Sequence, residues 1–378
     1  MRVAVIGQGY VGTAVGSAAS GAGHDVVGIE IDPSRIANLS VPYKVSSDYM
    51  DVVGSDVVVI AVPTPLNEVR EPDLSFLESA CGSLKSVLKS STLVVNESTS
   101  FPGTLRNVIA PILGESHLYA SAPERIDPAN QKWNIANTPR LVSGLSDVAT
   151  SRALEFYRSF CKEVVQVSTP EVAEAAKLFE NTFRQVNIAL VNEFAQIASA
   201  LGISTFEILG AAATKPYGFM SFVPSIGVGG HCIPVDPSYL SYAADKAGVE
   251  ASFIDIANSV NVLMPRYIAG RIATLLGGSV SGKKIQIAGI SYKSDVADTR
   301  ESPALSLTAI LREMGAEVAW CDEIVGKWHD EASTPLSAAD LGVIATAHSG
   351  VDYSAWKNTK TMVIDVSTSS NTGWPKFL

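Results

Sequence analysis

The sequence predicts an α/β protein with two doubly wound domains, joined by a long central helix and a helical middle domain. Three observations predict this fold class. Short valine and isoleucine runs recur at βαβ spacing in the N-terminal quarter and again beyond residue 284, as is typical of parallel strands covered on both faces. Between them lies a long apolar-periodic segment with helix signals at both ends. At 378 residues the chain is also too long for one core.

The N-terminal domain, expected over residues 1–168, begins with four buried strands. They are predicted at residues 2–7, 25–30, 56–63 and 92–98. The segments between them are long enough for crossover helices, so a parallel sheet with helices on both faces is expected.

The middle domain, expected over residues 169–276, begins with one long helix. Ser168 and Glu171 match a capping box, Pro170 suits the first turn and Gly202 ends the run. About 32 residues at 1.5 Å each make a helix of about 48 Å, long enough to join two domains. Shorter helices are predicted at 204–212 and 239–247, and a further long one at 254–276.

The C-terminal domain, expected over residues 277–378, returns to strand–helix alternation. Strands are predicted at residues 284–290, 316–322, 340–347 and 361–367. This second doubly wound domain lacks a G-x-G-x-x-G motif and is shortened between Asp322 and Ala339.

Composition excludes several classes of protein. Hydrophobic residues make up 47% and charged residues 17%, which indicates a compact globular chain. A net charge of −10 argues against a nucleic-acid partner, which requires a basic face. The N-terminal apolar run breaks into glycines rather than forming a signal peptide, and no stretch is long enough for a membrane helix. The four cysteines are far apart, so we expect no disulfide framework, no metal site and a cytoplasmic location.

Gly7, Gly9 and Gly12 form a G-x-G-x-x-G motif directly after the first strand, and the second strand ends in Glu30. In that context the motif predicts a dinucleotide site, with the pyrophosphate at a helix N-terminus and the acid on the ribose hydroxyls. An acid would repel a 2′-phosphate, so NAD is favoured over NADP. The alternative is that the glycines only pack a helix on a strand.

Lys177, Asn181 and Arg184 share one face of the long helix at spacings i, i+4 and i+7. A solvated polar stripe is the simpler interpretation. The apolar residues around them suggest burial instead, and buried cations need anionic or oxyanionic partners.

GVGGHCIPVDP, residues 227–237, places Cys232 behind three glycines. Glycines remove side chains and let another group approach the backbone, whereas an inert packed cysteine is the alternative. A thiolate is the nucleophile, and a nearby cation such as Lys177 would favour it. His231, its neighbour, is expected to serve structure or substrate contact. Thr99 and Glu124 follow predicted strands, at the sheet edge where α/β proteins bind ligands.

The order of these motifs resembles the UDP-glucose/GDP-mannose dehydrogenase family through nearly the whole chain. G-x-G-x-x-G is followed by VPTP, ESTSFPGT, APERIDPAN, K-x-x-x-N, GVGGHCIPVDP and YKSDVADTRESP. The resemblance implies two Rossmann-like domains, two NAD-dependent oxidations at C6 of a nucleotide sugar, and a homodimer formed through the long helix.

The resemblance also implies catalytic roles. Cys232 would form a thiohemiacetal and then a thioester with C6. Lys177 and Asn181 would stabilise the oxyanion, and Asp236 would position water and the lysine. Thr99 and Glu124 would assist thioester hydrolysis.

Binding roles follow from the same resemblance. The implied NAD contacts are Gly7, Gly9, Tyr10, Val11, Gly12, Glu30, Pro63, Thr64, Thr99 and Arg300. The implied contacts with a UDP-sugar are Glu124, Arg125, Lys177, Asn181, Arg184, Tyr217, Gly229 and Lys293.

The motif details favour a UDP-N-acetylhexosamine, UDP-N-acetylglucosamine first, over UDP-glucose. UDP-glucose enzymes usually have a lysine where this chain has Val235, and a second glutamate after Glu124. UDP-N-acetylmannosamine is a further alternative. Two rival functions are a single-step β-hydroxyacid dehydrogenase, which needs no cysteine, and a catalytically silent regulator that binds NAD or a nucleotide sugar.

Overall fold

The structure is a computed structural model that describes residues 1–127, 130, 132–369 and 372–378. By its internal contacts the chain divides into two compact units. Unit 1 comprises Met1–Glu180 and Ser238–Glu250, and unit 2 comprises Asn181–Pro237 and Ala251–Leu378. The three-part division at residues 168 and 276 remains a prediction.

Unit 1 contains one eight-stranded sheet in the order β3-β2-β1-β4-β5-β6-β7-β8. The strands are β1 (Arg2–Ile6), β2 (Asp25–Ile29), β3 (Lys44–Ser46), β4 (Val57–Ile60), β5 (Leu93–Asn96), β6 (Leu118–Ser121), β7 (Arg140–Gly144) and β8 (Val164–Gln166). Neighbouring strands are parallel except β6 and β7, which are antiparallel. The described residues between those two contain no crossover helix, and an antiparallel pair needs none.

Eleven α-helices occur in the described part of the chain. They are α1 (Tyr10–Gly21), α2 (Pro33–Asn38), α3 (Ser75–Lys85), α4 (Ala110–Leu113), α5 (Asp147–Arg158), α6 (Pro170–Leu201), α7 (Thr205–Ala213), α8 (Asp236–Lys246), α9 (Ser252–Leu275), α10 (Pro303–Glu313) and α11 (Ser354–Lys357). A 3₁₀ turn at Tyr49–Val52 and a π turn at Leu105–Ile109 add to them. None of these helices combines the length and apolarity needed to cross a bilayer.

The sheet of unit 1 is buried on both faces because successive strand residues point to opposite sides. Val3 and Val5 of β1 pack into a core with residues of α1 and α5. Ala4 and Ile6, which alternate with them, pack into a second core with residues of α3. This is why the strands appear in the sequence as continuous apolar runs, and the predicted α/β class is confirmed.

Helix α6 has the 32 residues that the sequence predicts, but its first turn differs from the prediction. The hydroxyl of Thr169, not Ser168, accepts a hydrogen bond from the Val172 N–H at 3.4 Å. Glu171 does not complete a capping box with Ser168. Its carboxylate pairs instead with Arg106 at 2.8 Å. Helix N-caps are interchangeable among short polar residues, so adjacent Ser and Thr cannot be ranked from sequence.

Unit 2 contains a four-stranded parallel sheet in the order β10-β9-β13-β14. The strands of this unit are β9 (Lys284–Ala288), β10 (Glu317–Cys321), β11 (Lys327–Trp328), β12 (Glu331–Ala332), β13 (Leu341–Ile344) and β14 (Met362–Asp365). Strands β11 and β12 form a separate antiparallel hairpin. That hairpin occupies the shortened stretch after Asp322. All predicted strands are present, and each ends one to three residues earlier than predicted.

Candidate active site

The three glycines between β1 and α1 have different surroundings. Gly7 has a φ of +88°, and a Cβ there would lie 2.5 Å from the carbonyl oxygen of Ala61. A Cβ at Gly12 would lie 1.9 Å from the carbonyl oxygen of Gly7. Gly9 faces open space, since the nearest non-neighbouring atom to its Cβ would be Arg35 Nη1 at 3.9 Å. The outer glycines therefore close the turn, and the middle one leaves the start of α1 accessible to a pyrophosphate.

Glu30 closes the same turn from the end of β2. Its carboxylate accepts hydrogen bonds from the backbone N–H groups of Gln8, Ile31 and Asp32 at 2.9–3.1 Å. Arg35 Nε lies 3.7 Å from the same carboxylate, which stays partly exposed. A partly exposed carboxylate next to an open helix N-terminus fits the ribose and pyrophosphate of NAD.

Gln8, between the first two glycines, belongs to the scaffold rather than to the binding surface. Its side chain is buried and donates to the Val5 carbonyl at 2.8 Å. The Tyr43 hydroxyl donates to its Oε1 at 2.8 Å. A Cβ on Gly28 would lie 2.5 Å from the Gln8 side chain. The glycine in β2 is therefore needed because Gln8 occupies its side-chain space.

The other residues expected to contact NAD in unit 1 differ in exposure. Tyr10 is half-exposed at the start of α1, and Val11 packs partly against the core. Pro63 is exposed, whereas the Thr64 side chain is buried. The carbonyl oxygen of Thr64 accepts a hydrogen bond from the Tyr239 hydroxyl at 3.1 Å, which anchors the segment after β4.

Thr99 is held in a tightly bonded loop at the carboxyl end of β5. Asn96 Nδ2 donates to the Ser98 carbonyl at 3.3 Å and to Ser100 Oγ at 3.1 Å. Ser98 Oγ donates to the Val62 carbonyl at 2.8 Å, in the segment after β4. These hydrogen bonds of the residues on both sides of Thr99 restrict the backbone that carries it.

Glu124 follows the neighbouring strand, β6, and its side chain is buried. The Ile126 N–H donates to its carboxylate. Burial raises the pKa of Tyr10, and the Glu124 carboxylate raises it further, so the two side chains interact. Arg125 Nε donates to Glu180 on α6 at 2.9 Å, which directs its guanidinium toward that helix.

Lys177 and Glu174 are one turn apart on α6, and both are buried. The Glu174 carboxylate accepts from the N–H groups of Gly103 at 2.7 Å and Leu105 at 3.1 Å. These contacts tie the Lys177 turn of α6 to the segment that follows Thr99. Burial raises the pKa of Glu174 to about 8, although the two backbone hydrogen bonds oppose the shift.

Asn181 lies one turn further along α6, in unit 2, between a donor and an acceptor. Arg184 donates to its Oδ1, and its Nδ2 donates to Asp236 Oδ2 at 2.5 Å. Because a guanidinium only donates, this arrangement sets the orientation of the amide. Asp236 is fully buried, and its N–H donates to the Cys232 carbonyl at 2.8 Å. Of the predicted polar face of the helix, Lys177 and Asn181 are buried, whereas Arg184 is exposed, so the expectation of a buried arginine is wrong.

The glycines before Cys232 accommodate the chain's own YKSDVADTRESP segment. A Cβ on Gly227, whose φ is +135°, would lie 2.8 Å from the Asn261 carbonyl oxygen. Cβ atoms on Gly229 and Gly230 would lie 2.8 Å and 2.6 Å from the Tyr292 side chain. The glycine content of this loop is therefore explained by packing inside unit 2.

Arg300 from the same segment lies beside the Cys232 loop. Its carbonyl accepts the Gly230 N–H at 3.0 Å, and its guanidinium pairs with Asp298 at 2.6 Å. The bonded Asp298 carboxylate raises the pKa of Arg300, and the negative form of Cys232 also contributes. Burial by itself would raise the pKa of Asp298, but the hydrogen bonds and charge of Arg300 lower it. The charge of His231 adds a smaller lowering of the same pKa.

Two further residues expected to contact substrate differ in their exposure. Lys293 is partly buried in the YKSDVADTRESP segment, where its carbonyl accepts from Ser291 Oγ at 2.9 Å. Tyr217 is exposed after α7, and the Lys215 ammonium lies 5.0 Å from its ring centroid.

Sequence reasoning missed a buried ionic group in unit 1. Arg140 Nη1 lies 2.8 Å from Glu97 Oε2, and the Tyr157 hydroxyl donates to Glu97 Oε1 at 2.5 Å. Its sequence signal is an arginine at the start of the apolar strand RLVSG and an acid directly after the strand LVVN. A charge next to a buried strand needs a partner, but sequence alone does not identify which one.

Sequence profiles of one family match nearly the whole chain. For the UDP-glucose/GDP-mannose dehydrogenase family, the NAD binding domain matches residues 1–42 and 38–161, and the central domain matches residues 171–262. The UDP binding domain of the family matches residues 286–369.

Individual relatives agree. The UDP-N-acetyl-D-mannosamine dehydrogenase of Pyrococcus horikoshii is 35% identical over 95% of this chain and 92% of its own. The UDP-N-acetyl-D-glucosamine 6-dehydrogenase of Pseudomonas aeruginosa is 31% identical over 92% and 91%. The solved structure of UDP-D-ManNAc dehydrogenase from Pyrococcus horikoshii superposes with a TM-score of 0.87 at 32% identity, covering 99% of this chain and 98% of that chain. Neither rival function drawn from the sequence fits these matches. The chain belongs to the UDP-glucose/GDP-mannose dehydrogenase family and is an NAD-dependent dehydrogenase.

Proposed function

We propose that this enzyme oxidises C6 of a UDP-N-acetylhexosamine from alcohol to carboxylate, through a thiohemiacetal and a thioester on Cys232. The observation that carries the proposal is the chain of contacts in unit 2 from Cys232 to Asp236 and on to the Asn181 amide. A single oxidation of an alcohol needs no thiol. A cysteine joined to a buried carboxylate and amide suits a second oxidation, in which the aldehyde is held covalently.

In the first oxidation the C6 alcohol loses a hydride from carbon and its hydroxyl proton to water, which leaves the aldehyde. Each of the two oxidations would need its own molecule of NAD⁺ as the hydride acceptor. Lys177 and Asn181 stabilise negative charge on the C6 oxygen. The Asn181 amide has two hydrogens on Nδ2; one is used by Asp236, and the other is available to the substrate oxygen.

In the second oxidation the Cys232 thiolate attacks the aldehyde carbon, and loss of the second hydride converts the thiohemiacetal to a thioester. Water then attacks the thioester carbonyl. The C–S bond breaks, and its electron pair returns to the Cys232 sulfur. Glu124 accepts a proton from the attacking water, and Thr99 orients that water. Covalent capture keeps the reactive aldehyde from escaping between the two oxidations.

The sugar is assigned to the N-acetylhexosamine class, with Arg125, Arg184, Tyr217, Gly229 and Lys293 as its further contacts. One of the relatives described above is a UDP-N-acetyl-D-mannosamine dehydrogenase and another is a UDP-N-acetyl-D-glucosamine 6-dehydrogenase. A panel of these two sugars with UDP-glucose, read by NADH absorbance, decides the configuration at C2. A preference for UDP-glucose would contradict the assignment.

We expect the enzyme to be a homodimer formed through α6. Leu190, Ile197 and Leu201 share one face of the helix at spacings of seven and four residues, and all three are exposed. An exposed apolar helix face of this kind favours association with a second copy. Light scattering should give twice the chain mass, and Ile197→Asp should give monomers. The cytoplasmic location and the absence of a nucleic-acid partner remain predictions.

The test of the function is the number of NADH molecules formed for each sugar consumed. We expect two, with Cys232→Ser forming no acid but binding NAD with unchanged affinity, because the glycine motif lies in unit 1. Cys321→Ser, a buried cysteine in the same unit, is the control and should keep the ratio of two. One NADH for each sugar in the wild type, or loss of NAD affinity in Cys232→Ser, would contradict the proposal.

A further inference from the structure

Arg140, the first residue of β7, is a buried cation that contacts the exits of two other strands. Its Nη1 lies 2.8 Å from Glu97 Oε2 and donates to the Ala122 carbonyl at 3.1 Å. The Arg140 side chain is 4% exposed and the Glu97 side chain is fully buried. A buried guanidinium with charged and carbonyl acceptors has little freedom to move.

The two partners of Arg140 have equivalent places in the sequence. Glu97 is two residues before Thr99, at the exit of β5, and Ala122 is two residues before Glu124, at the exit of β6. The neighbouring backbones are also joined, because the Ala122 N–H donates to the Asn96 carbonyl at 3.0 Å. One side chain thus spans both loops that carry the residues assigned to thioester hydrolysis.

Tyr157 on α5 holds the ion pair from the other side. Its hydroxyl donates to Glu97 Oε1 at 2.5 Å, and Arg140 Cζ lies 5.2 Å from its ring centroid. Burial by itself would lower the pKa of Arg140, but Glu97, Tyr157 and Glu124 raise it. The field of the guanidinium therefore reaches Glu124 as well as Glu97.

We propose that Arg140, held by Glu97 and Tyr157, is the positioning residue that sets Thr99 and Glu124 for thioester hydrolysis. This inference rests on the proposed function. In the step concerned, the water oxygen bonds to the acyl carbon, the C–S bond breaks with its electron pair going to Cys232, and Glu124 accepts the proton. A displacement of about 1 Å in such a pair of groups can slow a step about a hundredfold.

The role proposed for Arg140 is specific to thioester hydrolysis because Arg140 contacts the exits of β5 and β6. The glycine motif and Glu30 lie at β1 and β2, and within the described residues Arg140 hydrogen-bonds to Glu97 and Ala122 rather than to either of them. The oxidations also depend on Cys232 and Asn181, which belong to unit 2. Loosening the exits of β5 and β6 should therefore slow release of the acid while both hydride transfers continue.

The first experiment is single-turnover and steady-state kinetics of Arg140→Lys with the UDP-sugar that the wild type oxidises. Lysine keeps the charge but loses the planar fork. We expect kcat to fall about tenfold to hundredfold and NAD affinity to fall much less, because Thr99 is the one expected NAD contact at these two strand exits. A burst of two NADH for each site should precede the slow phase, and intact-protein mass spectrometry should show an acyl adduct on Cys232. Hydroxylamine, which attacks thioesters without a positioned water, should restore turnover.

Tyr157→Phe tests the same inference without disturbing the buried charge pair. It removes one hydrogen bond to Glu97 and keeps the ring beneath the guanidinium, so it should fold and show a smaller burst of the same kind. Tyr119→Phe is the matched control. Tyr119 is a buried residue of β6 whose hydroxyl donates to the Gly114 carbonyl, and the variant should show no burst.

Several outcomes overturn the inference. The inference is wrong if Arg140→Lys hydrolyses the thioester at the wild-type rate, or if its kcat falls without an acyl adduct on Cys232. It is also wrong if Tyr157→Phe and Tyr119→Phe show equal bursts, because the ion pair then has no special role. Should Arg140→Lys fail to fold, Tyr157→Phe decides alone, and the absence of a burst there overturns the inference. A wild type that forms two NADH for each sugar keeps the proposed function standing in all these cases. If the wild-type enzyme does not form two NADH for each sugar, the proposed function and the role of Arg140 are both wrong.

Discussion

The two sheets begin with the same turn but use it differently. In unit 1, β1 runs into Gly7 with a φ of +88°, and in unit 2, β9 runs into Gly289 with a φ of +80°. The N–H of each glycine donates at 2.8 Å to the last residue of the neighbouring strand, Ile29 or Cys321. A left-handed glycine at this point lets the chain turn away from the sheet edge in both units.

An acid at the end of the second strand closes each turn. Glu30 accepts the Gln8 N–H at 3.1 Å, and Asp322 accepts the Ile290 N–H at 2.9 Å. Asp322 is buried and is covered by His348, whose Nε2 lies 3.1 Å from the carboxylate. The Glu30 carboxylate, by contrast, stays partly exposed.

The comparison separates scaffold from binding site. A left-handed glycine with an acid at the end of the second strand is common to both units, so it does not by itself indicate a dinucleotide site. Unit 1 adds Gly9, with open space around it, and a helix that starts at once at Tyr10. In unit 2 the next helix begins only at Pro303. The open helix N-terminus is therefore the feature that makes a dinucleotide site.

The largest expected effect comes from alanine at the two turn glycines. A Cβ at Gly7 would lie 2.5 Å from the Ala61 carbonyl, and one at Gly289 would lie 1.9 Å from the Thr346 carbonyl. We expect Gly7→Ala and Gly289→Ala each to lower the free energy of unfolding by about 3–5 kcal/mol. Chemical denaturation measures this. A neutral Gly289→Ala would break the comparison between the two turns.

Removing the two acids should separate stability from binding. Asp322→Ala leaves several buried N–H groups and His348 without their acceptor, and should cost about 3 kcal/mol. Glu30→Ala should cost about 1 kcal/mol, because water reaches its donors, and should weaken NAD binding about tenfold. Denaturation and NAD titration check both. Unchanged NAD affinity in Glu30→Ala would remove its ribose role.

Two buried carboxyl groups should give pH dependences of opposite sign. The pKa of Glu174 is raised to about 8, so the folded protein holds a proton that the unfolded chain loses at lower pH. Stability should fall with rising pH between the unfolded pKa, about 4.3, and 8, by about 1.4 kcal/mol for each pH unit. Glu174→Gln should remove this slope, measured by denaturation at several pH values. A slope that persists in the variant would assign it to another group.

Asp322 provides the opposite case. Burial by itself would raise its pKa, but hydrogen bonds from His348 and from the Val325 and Ile290 N–H groups lower it. Its stabilisation is complete above the unfolded pKa, about 3.9, and is lost as the pH falls through the lower folded value. Asp322→Asn should therefore flatten the loss of stability in acid and leave the slope near pH 7 unchanged.

The smallest effect on stability is expected at Gly9, and it is the most specific to the binding site. Its φ of −74° suits any residue, and an added Cβ meets no atom closer than 3.9 Å. Gly9→Ala should leave the melting temperature within about 1 °C of the wild type, because no strain or clash is introduced. It should nevertheless weaken NAD binding about tenfold or more by blocking the pyrophosphate. Unchanged NAD affinity would place the cofactor elsewhere.

The sequence predicted much of the site because particular residues have local reasons to be where they are. The glycine motif and Glu30 can be recognised from their spacing after a strand, and α6 from its periodicity. The antiparallel β7 and the hairpin after Asp322 were not predicted, because short strands without a strong period depend on their neighbours. Gly229 and Gly230 before Cys232 make room for Tyr292, a contact that the sequence does not identify.

The amino-acid sequence alone determined the fold class, the glycine turn after β1 and the long helix. Each of these depends on the spacing of apolar, glycine and capping residues that are close together in the sequence. Only the tertiary structure decided that Arg140 pairs with Glu97, that Arg184 orients Asn181 and that Glu174 is bonded to the segment after Thr99. A buried charge must find a partner, and which partner it finds depends on the packing of residues far apart in sequence.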